Sequence, residues 1–303
     1  VEARDAYLDH TLGNIVGHNA SLDNDYRTPP QLTLQLADSD ACDETEEYLI
    51  LKKHTYQTRG HSRIAVLKRM LEIDRNQVNR YGTASIRSLL SSLTNLATES
   101  ILIGGFEQAD TYLKESIELS EIHKVPLLAA TMQNYICNKV NIAAYPDGIK
   151  FYETHETAIR QSRQYIATLV GKVYCHLFMG QADEALSSLP QNIQLTDQQH
   201  LTFRMVYLIA FIIRGQHDLA MNENNNIGRM IKANEGTYFT SYYTINTMYG
   251  RYLTAIISTR AVRKKTLEDI LDHLTNGPEQ VKQLAITEFS ARWLISRVES
   301  QLK

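Results

Sequence analysis

Residues 93–119 read LTNLATESILIGGFEQADTYLKESIEL, and this stretch decides how the rest of the chain is organised. Leu93, Leu96, Ala97 and Ile101 fall at helical spacing, and Phe106, Ala109, Leu113 and Ile117 do so again after Gly104-Gly105. Two amphipathic helices therefore meet at a glycine turn. A bulky residue two after the first glycine and a small one three later let the helices cross closely. Such a hairpin cannot bury both of its faces alone and must stack on neighbours.

Working outward, a small residue followed by Ala or Gly five positions on recurs at Gly60/Ala65, Gly104/Ala109, Ala143/Gly148, Gly180/Ala185 and Gly215/Ala220. Successive turns are 44, 39, 37 and 35 residues apart (60 to 104, 104 to 143, 143 to 180, 180 to 215), and an apolar-periodic helix precedes each one. In spacing and turn chemistry the unit resembles the tetratricopeptide repeat, whose ideal period is about 34 residues. The resemblance implies an all-α fold, a right-handed superhelix of about six helical hairpins. The expected organisation is an irregular or helical segment at 1–42, repeats at 43–258, and a C-terminal hairpin at 259–303 whose last helix caps the exposed end. A leucine alternation at Leu32, Leu34 and Leu36 is read as helix or extended connector, because no second strand exists to pair with it.

Composition agrees. A chain of 303 residues with 43% hydrophobic content suits a folded protein, and its six prolines fall where the helical pattern already breaks. The formal charge of −3 carries no electrostatic footprint for nucleic acid or an anionic membrane, and no apolar run is long enough to span a bilayer. Cys42, Cys137 and Cys175 are widely spaced and odd in number. Buried free thiols in a reducing, cytoplasmic compartment are the simplest reading, with a periplasmic location as the alternative. The first residue is Val, so a processed or excised chain is expected, with any output domain beyond it.

The sequence carries none of the common catalytic or cofactor signatures. There is no H-E-x-x-H, no phosphate loop before Lys-Ser/Thr and no G-x-S-x-G elbow. His54 and His61 lack a partner at metal-ligand spacing. The expectation is a binding protein, with no catalytic residue, metal or cofactor.

In helical repeats the first helices of successive units line the concave groove. Registering each against its turn places His54 and Gln57 there from the first unit, and Thr94 and Thr98 from the second. Gln133, Asn134 and Asn138, with Cys137 and Asn141, follow from the third, Tyr174 from the fourth and Met205 from the fifth. Amides and hydroxyls of this kind pair with a peptide backbone or a neutral polar metabolite. Beyond the fifth unit, Tyr242, Ile245, Tyr249 and Tyr252 line one side of a helix, as packing against a neighbour or as an aromatic wall for a ligand.

Irregular repeats of this kind resemble sensor domains of bacterial regulators: the solenoids of large transcription activators and the peptide-pheromone receptors. The resemblance implies a peptide, small-molecule or protein partner bound in the groove, which controls an attached output domain or homodimerisation, without direct contact to nucleic acid. A constitutive protein-interaction scaffold and an extracytoplasmic sensor of a membrane signalling enzyme stay open as alternatives.

Overall fold

Gly60, Gly104, Ala143, Gly180 and Gly215, the five turn positions chosen by spacing, all have positive φ, at 58°, 80°, 57°, 76° and 71°. The computed structural model describes residues 44–191, 194–234 and 237–303. The expectations for 1–42, including Cys42, lie outside the described residues.

The described chain is helical, with no strand among its residues. Its elements are α1 (Glu44–Gln57), α2 (Gly60–Tyr81), a 3₁₀ turn (Gly82–Ser85), α3 (Ile86–Leu102), α4 (Phe106–His123), α5 (Ala129–Asn141), α6 (Tyr145–Thr154) and α7 (Glu156–Gln161). They continue as α8 (Tyr165–Phe178), α9 (Ala182–Ser187), α10 (Asp197–Ile213), α11 (His217–Ala233), α12 (Thr237–Ile256), α13 (Arg260–Asn276), α14 (Glu279–Thr287) and α15 (Phe289–Leu302). Residues 43–303 make one compact unit. No described helix is long and apolar enough to cross a membrane.

Four of the five turns share one wiring. After α3, the Gly104 N–H donates to the Ile101 carbonyl at 3.0 Å and the Gly105 N–H to the Ser100 carbonyl at 2.7 Å. Ala143 and Ala144, Gly180 and Gln181, and Gly215 and Gln216 repeat the same pair of bonds. This is the Schellman arrangement, which satisfies carbonyls that a helix end would otherwise orphan and demands a left-handed residue at its centre. The carbonyls of Gly105, Ala144, Gln181 and Gln216 then accept the first bonds of the next helix. One residue thus closes one helix and opens another.

The first turn departs from this pattern, and with it the expected register. Here Thr58 N–H bonds to the His54 carbonyl, and α2 begins at Gly60 itself. The buried face of α2 is Ile64, Leu67, Met70, Leu71 and Asp74, so Ala65 points to solvent instead of into a helix crossing. Ala109, Ala185 and Ala220 are wholly buried, as the spacing predicts. Gly148 sits equally tightly: a Cβ there would lie 3.0 Å from Cys175 Sγ. Sequence spacing missed Gly171 on α8, where a Cβ would come within 2.9 Å of Ile136 on α5.

Helices pack in chain order, and the first helices of successive hairpins also meet, α3 on α5, α5 on α8, and α8 on α10. The apolar interior is divided. One cluster joins α2 and α3 through Ile64, Leu67, Leu90, Leu93 and Leu96. A larger one runs from Met132 on α5 to Val298 on α15. Between them lies only a small group, Ala97, Ala109 and Leu113, with Tyr112 and Tyr135 against it.

Two expectations for the C-terminus are corrected. The final helix is two helices, broken at Glu288, whose φ and ψ of −112° and 114° are extended. Nor does its last part cap a free end. It folds back: Trp293 Nε1 donates to the Leu177 carbonyl at 3.3 Å, and α15 packs on α10, α12 and α13. The aromatic side of α12 faces this helix, with the Tyr249 and Trp293 rings stacked at 6.3 Å and Tyr249 OH donating to the Ser290 carbonyl at 2.8 Å. Arg263 caps the C-terminal end of α12 by donating to the Ile256 carbonyl at 2.7 Å.

Candidate interaction groove

The residues assigned to a ligand groove divide into two sets. His54 and Gln57 on α1 and Thr98 on α3 are exposed, and Gln133 and Asn134 on α5 are partly so. Thr94, Asn138, Tyr174 and Met205 are buried at 3%, 0%, 3% and 0% exposure, out of reach of a ligand. Met205 belongs to the large apolar cluster, and the Tyr174 ring lies 5.2 Å from that of Phe289.

Four of the polar side chains are spent on bonds between neighbouring helices. Thr94 and Thr131 hydroxyls are 2.7 Å apart, Asn134 Nδ2 donates to Thr98 Oγ1 at 2.8 Å, and Asn138 Nδ2 donates to the Phe106 carbonyl at 2.9 Å. Beside them the Lys139 ammonium meets Asp110 at 2.6 Å with only 2% of its side chain exposed, and lies 4.5 Å from the Tyr135 ring centre. Lys114 reaches the other carboxylate oxygen at 2.8 Å. Burial pushes the Asp110 carboxyl up, but the two ammonium groups outweigh it and hold the group below its ordinary value. The second and third hairpins are therefore joined by a polar seam beside a small apolar group, where other hairpins share larger apolar clusters. Asn138 Oδ1 is buried there without a partner. Helical spacing placed Thr94 and Asn138 on a groove surface, whereas they are buried, because the neighbour of α3 is α5, not water.

The C-terminal helices cross this seam. Gln283 Nε2 donates to the Leu102 carbonyl at 3.3 Å, and a Cβ on Gly104 would sit 4.0 Å from Ile286. Arg292 stands with its guanidinium 4.7 Å from the Phe106 ring centre, donates to the Asn141 carbonyl at 2.9 Å, and also reaches the Asn141 side-chain oxygen. One side chain thus touches α4 and α5, on opposite sides of the seam. Burial lowers the Arg292 pKa. Its partners are neutral, the carbonyl being one of the last of α5 and so at the negative end of that helix. Nothing at the sequence level pairs position 292 with 106 and 141. The available signal was apolar residues on more than one side of the helix, at Phe289, Trp293, Leu294, Ile295 and Val298, which implies two partners.

Elsewhere, Asp74 is buried among Ser88 and Ser92, whose hydroxyls donate to it at 2.7 and 2.5 Å. Burial raises its carboxyl despite these donors. A surface hollow of about 290 Å³ opens between α12 and α13 beside Arg251, Thr254, Ser258 and Val262. The Thr254 and Ser258 hydroxyls donate to carbonyls of their own chain, so the hollow offers little unspent polarity. Among the described residues no three His, Cys, Asp or Glu side chains gather as a metal site would require. No family model, characterised protein or solved structure matches the chain.

Proposed function

We propose that this chain is a tetratricopeptide-like solenoid that serves as the sensing or protein-binding domain of a regulator. It binds a peptide, small-molecule effector or protein partner along its first helices and relays the event to an output domain or to homodimerisation. The observation that carries this reading is the polar seam. A junction joined by hydrogen bonds and one ion pair re-forms in more than one geometry more readily than interlocked apolar side chains do, so an effector that favours one curvature shifts the population. Thr98, Gln133 and Asn134 supply neutral donors and acceptors at that junction, His54 and Gln57 extend the polar surface on α1, and binding rather than catalysis is the role these groups suit. Cys137 and Cys175 are free thiols, in keeping with a reducing compartment such as the cytoplasm.

Native mass spectrometry of the purified chain, before and after denaturing extraction, tests the reading. A co-purifying peptide or metabolite is expected, with its affinity reduced in Gln133→Ala. A ligand-free mass, together with unchanged affinity of that variant for every identified partner, would remove the proposed groove. Asn138→Ala is unsuitable as a probe, because its amide holds the Phe106 carbonyl.

A further inference from the structure

We propose that α14 and α15 act as an internal strap across the polar seam, with Arg292 as its catch, and that release of this strap is the conformational step that lets the second hairpin move relative to the third. As regulation of the site, this rests on the functional reading above.

Attachment of the strap is unequal on its two sides. On the C-terminal side it is rooted in apolar core: Ala291, Trp293, Leu294 and Val298 are buried at 5% exposure or less and share a cluster with α8, α10, α12 and α13. On the far side it holds the second hairpin through Gln283 on the Leu102 carbonyl, Ile286 beside Gly104, and Arg292 over Phe106. These are contacts of moderate strength, a hydrogen bond, an apolar touch and a cation on a ring. Breaking them leaves the root intact. What they span is a break in the apolar interior, where only the small group of Ala97, Ala109 and Leu113 lies between the cluster ending at Leu96 and the one beginning at Met132.

Chemistry of the catch points the same way. A guanidinium is costly to bury with neutral partners alone, and here the return is a bridge between two hairpins, not added core. The Arg292 contacts at Phe106 and Asn141 lie at opposite ends of the turns that flank the seam, so α4 cannot swing from α5 while both are kept. The strap also touches the C-terminal ends of α3 and α5, the helices that carry Thr98, Gln133 and Asn134. An effector that spreads α3 from α5 must therefore work against Arg292, and loss of the catch should ease its binding.

Hydrogen–deuterium exchange on the full chain, which needs no ligand, tests the strap separately from the binding reading. Arg292→Ala is expected to speed amide exchange about tenfold in 98–106 and 131–141, with little change in 203–213 on α10. Arg292→Lys, which keeps the charge and loses the two-point grip, should fall between. Should Arg292→Ala fold poorly, Gln283→Ala with Ile286→Ala must give the same local pattern. Equal acceleration in all three segments would make Arg292 a general stabilising residue and overturn the proposal, as would unchanged exchange at the seam.

Discussion

The turn after α5 provides a test of the repeat wiring, because it alone among the four like turns places a residue other than glycine at the left-handed position. Ala143 has a φ of 57° and an exposed side chain, so little packing is lost with its methyl group. An L-residue in this conformation costs about 1–2 kcal/mol, and the extra freedom of glycine in the unfolded chain returns about 0.5–1 kcal/mol of that. Ala143→Gly is therefore expected to stabilise by about 0.5–1 kcal/mol. The converse change is equally clean at Gly215, where an added Cβ meets nothing within 4 Å, and Gly215→Ala should destabilise by a similar amount. Urea unfolding with an unchanged m-value measures both, and calorimetry should show shifts of a few degrees at most, up for one and down for the other. If Ala143→Gly destabilises while Gly215→Ala is neutral, the left-handed residue is not what limits these turns.

Removing the carboxylate in Asp110→Ala leaves the buried Lys139 ammonium unpaired and should cost about 3 kcal/mol by denaturant midpoint, while the double change Asp110→Leu, Lys139→Met should recover most of the loss. For Asp74, burial raises the folded-state pKa, so the wild type is relatively most stable below the unfolded carboxyl value of about 4 and loses that advantage as pH rises through the raised value. Asp74→Asn should accordingly gain on the wild type in melting temperature between pH 4 and 7; a constant difference would mean Asp74 does not titrate there. Gly171→Ala forces a methyl to 3.3 Å from the backbone nitrogen of Cys137, which cannot rotate away, and should destabilise by about 1–3 kcal/mol in the same assay.

Helix and turn positions were legible in the sequence because they are local. A residue that must go left-handed is nearly always glycine, and even Ala143 was located by its distance from neighbouring turns. The first register was misread because Gly60 looks like the other turn glycines, although α2 starts at its glycine, two residues earlier than the helices after the other turns, and buries Ile64 in place of Ala65. Of the residues assigned to the groove, Thr94, Asn138, Tyr174 and Met205 are buried instead: hydrogen bonds between the Thr131 and Thr94 hydroxyls and from Asn134 to Thr98 join positions about one repeat apart, and spacing does not reveal how closely α3 and α5 approach. Least legible was the return of α15. Arg292 and Asn141 are 151 residues apart, and no periodicity connects them.

Four turns in which one residue both ends a helix and begins the next have no slack. Adding a single residue there would rotate the following helix by about 100° and turn its apolar face to water. The variation from 44 to 35 residues between turns must therefore be absorbed elsewhere, in the lengths of the second helices and in connectors such as residues 124–128. An inserted tag or loop should be tolerated in that connector and rejected at Gly104-Gly105, which makes the chain's own irregular spacing a guide to where it accepts new sequence.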